Sequence, residues 1–228
     1  MRYRPFPTDH FPCPYIPGLT ACYEAFWVDE ITPGERQHLL EYGYRSFGKY
    51  WFRPQCEGCN RCIPIRIPVS TFHPTKSQRR SARKNTGLVI KVGEPHYTDE
   101  KFEIYCDHLQ RFSYPEDRHE AESFRISFYD PDVPALEFCY YIADALIAFG
   151  SVQKVPNALS SVYFCYRLEY SKLSLGKFSV LKEIEVARQL GKEYLYLGYY
   201  IEQNHFMSYK AMFGPNEILD SGRWIPFR

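Results

Sequence analysis

The chain has 228 residues, enough for one large domain or two small ones, and its 28 basic residues nearly balance 27 acidic ones. An apolar content of 45% is ordinary for a soluble globular protein and supplies a sizeable core. No run of about twenty apolar residues is present, which excludes a helix that crosses a bilayer. The first residues, MRYRPFPTDHFPCPYIPG, lack the apolar segment of a secretory signal. The eight cysteines therefore read as reduced thiols or metal ligands rather than a disulfide framework, and the expected compartment is the cytoplasm.

In chain order, residues 1–30 are Pro-rich and irregular, with a short strand expected over Ala21–Val28. Thr32-Pro33-Gly34-Glu35 is a capping box with proline at the first helical position. It predicts a short helix through Leu39, Leu40 and Tyr44. Ile63–Val69 is extended but carries Pro64 and Pro68, which lack ladder donors, so it is expected as an edge strand or extended segment. Ser77–Asn85 reads as a basic helical turn with Ser at its start. Its cations, Arg79, Arg80, Arg83 and Lys84, share one face by their spacing.

A second region begins near Thr86. Thr98 caps a helix with apolar positions Phe102, Tyr105, Leu109 and Phe112. Three strand-like runs follow, Leu136–Ile142, Leu146–Lys154 and Leu159–Leu168, with turns marked by Asp144 and Pro156-Asn157. Ser174-Leu175-Gly176 opens the clearest helix, whose core positions are Val180, Leu181, Ile184, Ala187 and Leu190, and Gly191 stops it. Tyr194–Tyr200 is the next strand. Helix, antiparallel strands, helix, strand is an α+β order. It fits an acyltransferase-like layout in which a glycine turn at a helix N-terminus follows a central strand. The expected partition is a small N-terminal Cys-containing domain, 1–85, and a second, α+β domain, 86–228.

The densest chemistry lies between Tyr50 and Asn85. Cys56, Cys59 and Cys62 stand at C-x-x-C-x-x-C spacing, shortly before the basic cluster. From Arg45 to Lys91 there are eleven Lys and Arg against a single acid, Glu57, a balance of +10. The remainder carries 17 basic and 26 acidic residues, a balance of −9. Such asymmetry points to a polyanion-facing surface, with backbone phosphates as the natural partner, and to binding that weakens with salt. The plainer reading is a solvated basic face.

Two groups of motifs carry a resemblance. Phe52–Val69 (FRPQCEGCNRCIPIRIPV) and Ser77–Asn85 (SQRRSARKN) resemble the N-terminal domain of the arginyl-tRNA–protein transferase family. Ser174–Gly176 (SLG), Tyr194–Ile201 (YLYLGYYI) and Met207–Phe213 (MSYKAMF) resemble its C-terminal domain. The resemblance implies a GNAT-like fold for the second domain. The short C-x-x-C-x-x-C form is similar to the bacterial branch. That likeness implies transfer of leucine from leucyl-tRNA to proteins that begin with Asp or Glu, marking them for degradation. The eukaryotic relatives transfer arginine to such acceptors. Two segments depart from the family pattern: Arg167-Leu168-Glu169 replaces an Asp-Pro, and Asn204-His205-Phe206 replaces a Cys-Pro-Lys. Cysteines of the eukaryotic N-terminal domain are associated with a metal or iron–sulfur centre. Here Cys13, Cys56, Cys59 and Cys62 offer four thiolates, which would have to converge to hold zinc. The other reading is a tight reduced turn, and no cofactor is required. Cys22, Cys106, Cys139 and Cys165 read as buried residues.

The chemistry itself asks for little. An aminoacyl ester is already activated, so the enzyme must hold two macromolecules in register, stabilise an oxyanion and manage one proton. Neither a metal nor a Ser-His-Asp set is needed. Tyr209, as hydrogen-bond donor, and Lys210, as partner of an acidic acceptor, are the first candidates for the site. The plainer readings are a core tyrosine and a surface lysine. Arg45 and Arg53 are further candidates for acceptor binding. Arg79, Arg80, Arg83, Lys84 and the helix start at Gly176 are candidates for tRNA binding. Two non-family readings stand beside this one. A non-catalytic metal-containing nucleic-acid-binding module would not need a full second domain. A coenzyme A-dependent acetyltransferase would need a richer glycine loop than Lys172–Lys177, which has one glycine.

Overall fold

The computed structural model describes residues 1–112 and 120–228. Its strands are β1 (Arg2–Phe6), β2 (Phe11–Pro12), β3 (Thr20–Ala21), β4 (Tyr23–Glu30), β5 (Arg45–Phe47), β6 (Tyr50–Pro54), β7 (Ile63–Pro68), β8 (Val89–Gly93), β9 (Ala135–Ile142), β10 (Ala145–Lys154), β11 (Ala158–Tyr166), β12 (Tyr194–Tyr200), β13 (Glu217–Asp220) and β14 (Arg223–Pro226). Its helices are α1 (Pro33–Glu41), α2 (Lys76–Lys84), α3 (Asp99–Leu109), α4 (Ala121–Phe128), α5 (Leu175–Gln189) and α6 (His205–Ser208).

Among the described residues, eight strands form one mixed sheet in the order β14-β13-β7-β12-β11-β10-β9-β8. A smaller antiparallel sheet has the order β1-β4-β6-β5. The pairing of β11 with β12 is parallel, so a crossover must join them, and α5 supplies it. Side chains alternate across the sheet with period two. Phe138 and Tyr140 of β9 therefore pack with Phe178 and Ile184 of α5. Cys139, between them, packs with Ile104 of α3 and Phe124 of α4 on the other face. The smaller sheet closes over a third cluster, where Phe26, Leu40 and Trp51 meet Val155, Ala158 and Tyr196.

Local signals produced the elements they predicted. Thr32 accepts from the Glu35 amide and Glu35 accepts from the Thr32 amide at 2.8 Å, so α1 starts where the capping box placed it. The C-cap of α1 is Tyr42 rather than Tyr44. Gly191, at φ +65°, ends the helix that α5 forms. The hairpin between β9 and β10 turns through Ala143 and Asp144, both at positive φ. In α2, Thr75 and not Ser77 is the cap, because Gln78 completes its box: Thr75 Oγ1 accepts from the Gln78 amide and Gln78 Oε1 accepts from the Thr75 amide.

The strand with the two prolines is not an edge. β7 lies inside the large sheet, between β12 and β13. The prolines are tolerated because β13 pairs with β7 only at Ile65 and Arg66, between them. Along β12, Pro64 and Pro68 sit near the two ends of the ladder, opposite Tyr199 and Tyr194. The stretches 1–85 and 86–228 therefore share one sheet. Cys139 and Cys165 are buried, while Cys22 and Cys106 are only half-buried. Among the described residues no helix is long and apolar enough to cross a membrane.

Candidate active site and nucleic-acid face

The parallel strands stay together only briefly. β11 and β12 pair at Ala158–Tyr194, Leu159–Leu195 and Ser160–Tyr196 and then separate. Beyond that point β11 continues along β10 to Tyr166 and β12 continues along β7 to Tyr200. The guanidinium of Arg45, from β5, fills the opening. It donates to Ser160 Oγ at 3.4 Å, to the Ser161 carbonyl at 2.5 Å and to the Val162 carbonyl at 3.3 Å. On the β12 side it lies against Gly198, where a Cβ would stand 2.8 Å from its central carbon.

Around Arg45 gather groups that titrate. Glu183, on the sheet-facing side of α5, is 2% exposed, and its Oε2 has no hydrogen-bond partner. Burial pushes its carboxyl up to about 7, against the Ser161 side chain and Arg45, which favour the carboxylate. Lys210 donates to the Tyr199 carbonyl at 3.0 Å and to Met207 Sδ at 3.5 Å. Burial pushes its ammonium down to about 7, with Arg45 adding to the effect and Cys62 opposing it. Tyr209 is raised by burial, with Glu183 adding. Tyr199 donates from its phenol to the Gly43 carbonyl at 3.0 Å and so ties β12 to the smaller sheet.

The structure thus brings Tyr209, Lys210 and Arg45 together. Lys210 is half-buried rather than a solvated surface residue and has no ion pair among the described residues, and Tyr209 is half-buried beside Phe213. Arg53 goes elsewhere: its Nε binds Glu24 at 2.7 Å and its guanidinium covers the Tyr44 ring at 4.7 Å. Glu183 escaped the sequence reading, although a signal was available. Position 183 falls on the same helical face as Val180, Ile184 and Ala187, where a glutamate is out of place.

The four candidate thiols, Cys13, Cys56, Cys59 and Cys62, are half-buried and unbridged. The Cys59 amide donates to the Cys56 carbonyl at 3.2 Å, which closes the turn, and the Cys22 amide donates to Cys56 Sγ at 3.5 Å. Burial pushes the Cys62 thiol up to about 12, with Cys13, Cys56 and Cys59 adding, so the four share a neighbourhood. Among the described residues no group of three or more His, Cys, Asp or Glu is arranged to hold a metal ion.

The charge block is not one surface. Arg45 is enclosed in the strand opening. Arg66 is buried between Tyr194 and Trp224 and bonded to Glu217 at 2.7 Å. Lys49 pairs with Asp132 and Arg53 with Glu24. What remains exposed centres on α2, where Arg79, Arg80, Arg83 and Lys84 all face solvent. Three contacts fix that helix beside the site. Gln78 Nε2 donates to the Met212 carbonyl at 3.0 Å, Lys84 Nζ to the Lys172 carbonyl at 2.5 Å, and Asn85 Nδ2 to the Leu173 carbonyl at 3.0 Å. Met212 closes the 3-10 turn that carries Tyr209 and Lys210. Lys172 and Leu173 precede α5, whose cap, Ser174, sits at φ +57° and makes no side-chain cap bond. Gly176 lies in that first turn with open space around it. The candidate tRNA residues are therefore neighbours.

Two family models match in chain order. The one described as "Arginine-tRNA-protein transferase, N terminus" covers residues 11–80, and "Arginine-tRNA-protein transferase, C terminus" covers residues 100–220. The chain is 35% identical over 226 residues to the aspartate/glutamate leucyltransferase of Alkalilimnicola ehrlichii, with 96% of this chain and 94% of that one covered. It is 32% identical to the aspartate/glutamate leucyltransferases of Pseudomonas fluorescens (98% and 97% covered) and Campylobacter jejuni (91% and 89% covered). Likeness to solved structures is weaker, and no reading of the fold rests on it. L-PGS from Bacillus licheniformis gives a TM-score of 0.47 at 13% identity, covering 74% of this chain and 52% of that one. FemX gives 0.47 at 9%, covering 78% and 63%. With both halves of the family matched in order and relatives aligned over nearly their whole length, the chain belongs to the arginine-tRNA-protein transferase family.

Proposed function

We propose that this enzyme transfers leucine from leucyl-tRNA to the N-terminal amine of proteins that begin with Asp or Glu, marking them for degradation. The names of the relatives support the donor and the acceptors. The observation that carries the chemistry is the placement of Lys210: an amine near neutrality, in the strand opening, with the basic face of α2 alongside. tRNA phosphates lie along α2 and the start of α5. The acceptor enters as an α-ammonium and gives a proton to Lys210. The freed amine attacks the ester carbonyl, a C–N bond forms, the C–O bond to the terminal ribose breaks, and the proton shed by the attacking nitrogen passes to the ribose oxygen. Protonated Lys210 then faces the acceptor's side-chain carboxylate, a charge-assisted contact that an uncharged first residue cannot make. Tyr209 donates a hydrogen bond to the developing oxyanion.

One assay tests the reading. Purified protein is incubated with peptides starting in Asp, Glu or Lys and with tRNA charged with labelled Leu, Arg or Phe. Label passes from leucyl-tRNA to the Asp and Glu peptides alone. Transfer of Arg instead, or transfer to the Lys peptide at a matching rate, overturns it.

A further inference from the structure

We propose that Arg45 is a positioning residue that holds β11 and β12 apart beside Lys210, where the reacting aminoacyl end is seated. The identity of the occupant rests on the transferase reading above. The wedge itself rests on geometry.

Two parallel strands that have begun to pair leave backbone groups without partners if they separate in the interior, and such groups must be satisfied. Arg45 satisfies those of β11. Pairing with β10 steps from Tyr163 to Ser161, opposite Ser151 and Val152, so Val162 is the extra residue of a bulge. The bulge makes two successive carbonyls, Ser161 and Val162, available to one guanidinium, and both accept from it. A planar fork with several donors can do this, whereas an ammonium presents one point.

β12 is shaped to the same side chain. Gly198 sits at φ +77°, beside the irregularity in the β12–β7 register, and its missing Cβ is the room that the guanidinium occupies. Any other residue there would meet Arg45. The wedge is held from behind by its chain neighbours, which bind β12 and β10, the strand that pairs with β11. Gly43 accepts from Tyr199 of β12 at 3.0 Å, and Ser46 donates to Gln153 of β10 at 2.9 Å. Tyr199, Tyr15 and Glu183 surround the enclosed guanidinium as the groups whose charge would favour its own.

Three variants test the wedge: Arg45→Met, Arg45→Lys and Gly198→Ala. Each is measured for single-turnover transfer from leucyl-tRNA, for tRNA affinity and for amide hydrogen exchange across 161–164 and 197–200. Arg45→Met is expected to lower the transfer rate about 10²-fold while tRNA affinity changes less than about twofold, since the loss is one of register. The two segments exchange more slowly as the strands close. Arg45→Lys falls between wild type and Met. Gly198→Ala reproduces Arg45→Met although Arg45 is intact, because the added methyl displaces it; it decides the matter if Arg45→Met does not fold. Wild-type rate and wild-type exchange in folded Gly198→Ala overturn the proposal. If wild-type protein transfers no leucine, the exchange measurements still test the wedge, and that failure falls on the leucyl reading instead.

Discussion

Lys210 and Glu183 are mismatched with their surroundings in opposite directions. Burial disfavours the charged form of each, so the amine is pushed down to about 7 and the carboxyl up to about 7. The consequences for stability have opposite signs. Lys210, charged in the unfolded chain up to high pH, destabilises the fold below about 7, and that penalty disappears as pH rises from about 7 towards its unfolded value. Lys210→Met is therefore expected to be more stable than wild type at pH 6 by about 1–2 kcal/mol, after allowance for solvent screening, and to lose that advantage by pH 10. Urea midpoints across that range check it. Glu183 costs nothing below its unfolded value, and its penalty grows from there up to about 7 and is constant above that. The same amine predicts a transfer rate that climbs through pH 7 as Lys210 loses its proton. Lys210→Arg should remove that limb from the pH profile of kcat/KM, because a guanidinium stays charged.

α2 joins the basic face to the site. Its charge exceeds what dipole or packing asks for: Arg83 and Lys84 lie in the last turn, where cations are favoured, but Lys76, Arg79 and Arg80 do not, and only Gln78 is buried. Arg79 also donates to the Pro74 carbonyl at 2.5 Å, so Arg80 and Arg83 are the side chains freest to reach phosphate. Changing Arg79, Arg80 and Arg83 together to Ala should weaken tRNA binding and make the log–log salt slope shallower by about two to three. Filter binding between low and physiological salt checks this, and an unchanged slope would make the face a solvated one. Thr75→Ala tests the scaffold instead. Loss of the box should cost about 1 kcal/mol of stability and move the salt slope little.

At the scale of the whole molecule, β7 decides how the chain can be divided. It comes from the Cys-containing stretch yet lies between β12 and β13. Arg66, on it, is enclosed by Tyr194, Tyr196 and Trp224 from beyond residue 85. A fragment of residues 86–228 would expose the β12 edge and lose Arg45 from the strand opening. It is expected to show no cooperative thermal transition and no dispersed amide spectrum, whereas the full chain shows both. A fragment that melts cooperatively would mean that the large sheet closes without β7.

By itself, the sequence determined what depends on near neighbours along the chain. The capping box at Thr32, the α5 helix stopped by Gly191, the strand Tyr194–Tyr200 and the one-sided cations of α2 all follow from spacings of three to seven residues or from period two. The motifs carried by those elements were enough to point to the family. Whatever depends on the meeting of distant segments was decided by the tertiary structure. The prolines of β7 suggested an edge because a lone strand does not reveal how short its partner's ladder is. Arg45 and Arg66 counted towards a surface charge because composition is blind to which cations turn inward. Glu183 counted as one polar position in a helix until α5 was laid against the opening between β11 and β12, where burial and the approach of Arg45 give that carboxylate its character. A dihedral or a cap is set within one turn of chain, but the dielectric and the counter-charge around a side chain are set by everything that packs against it.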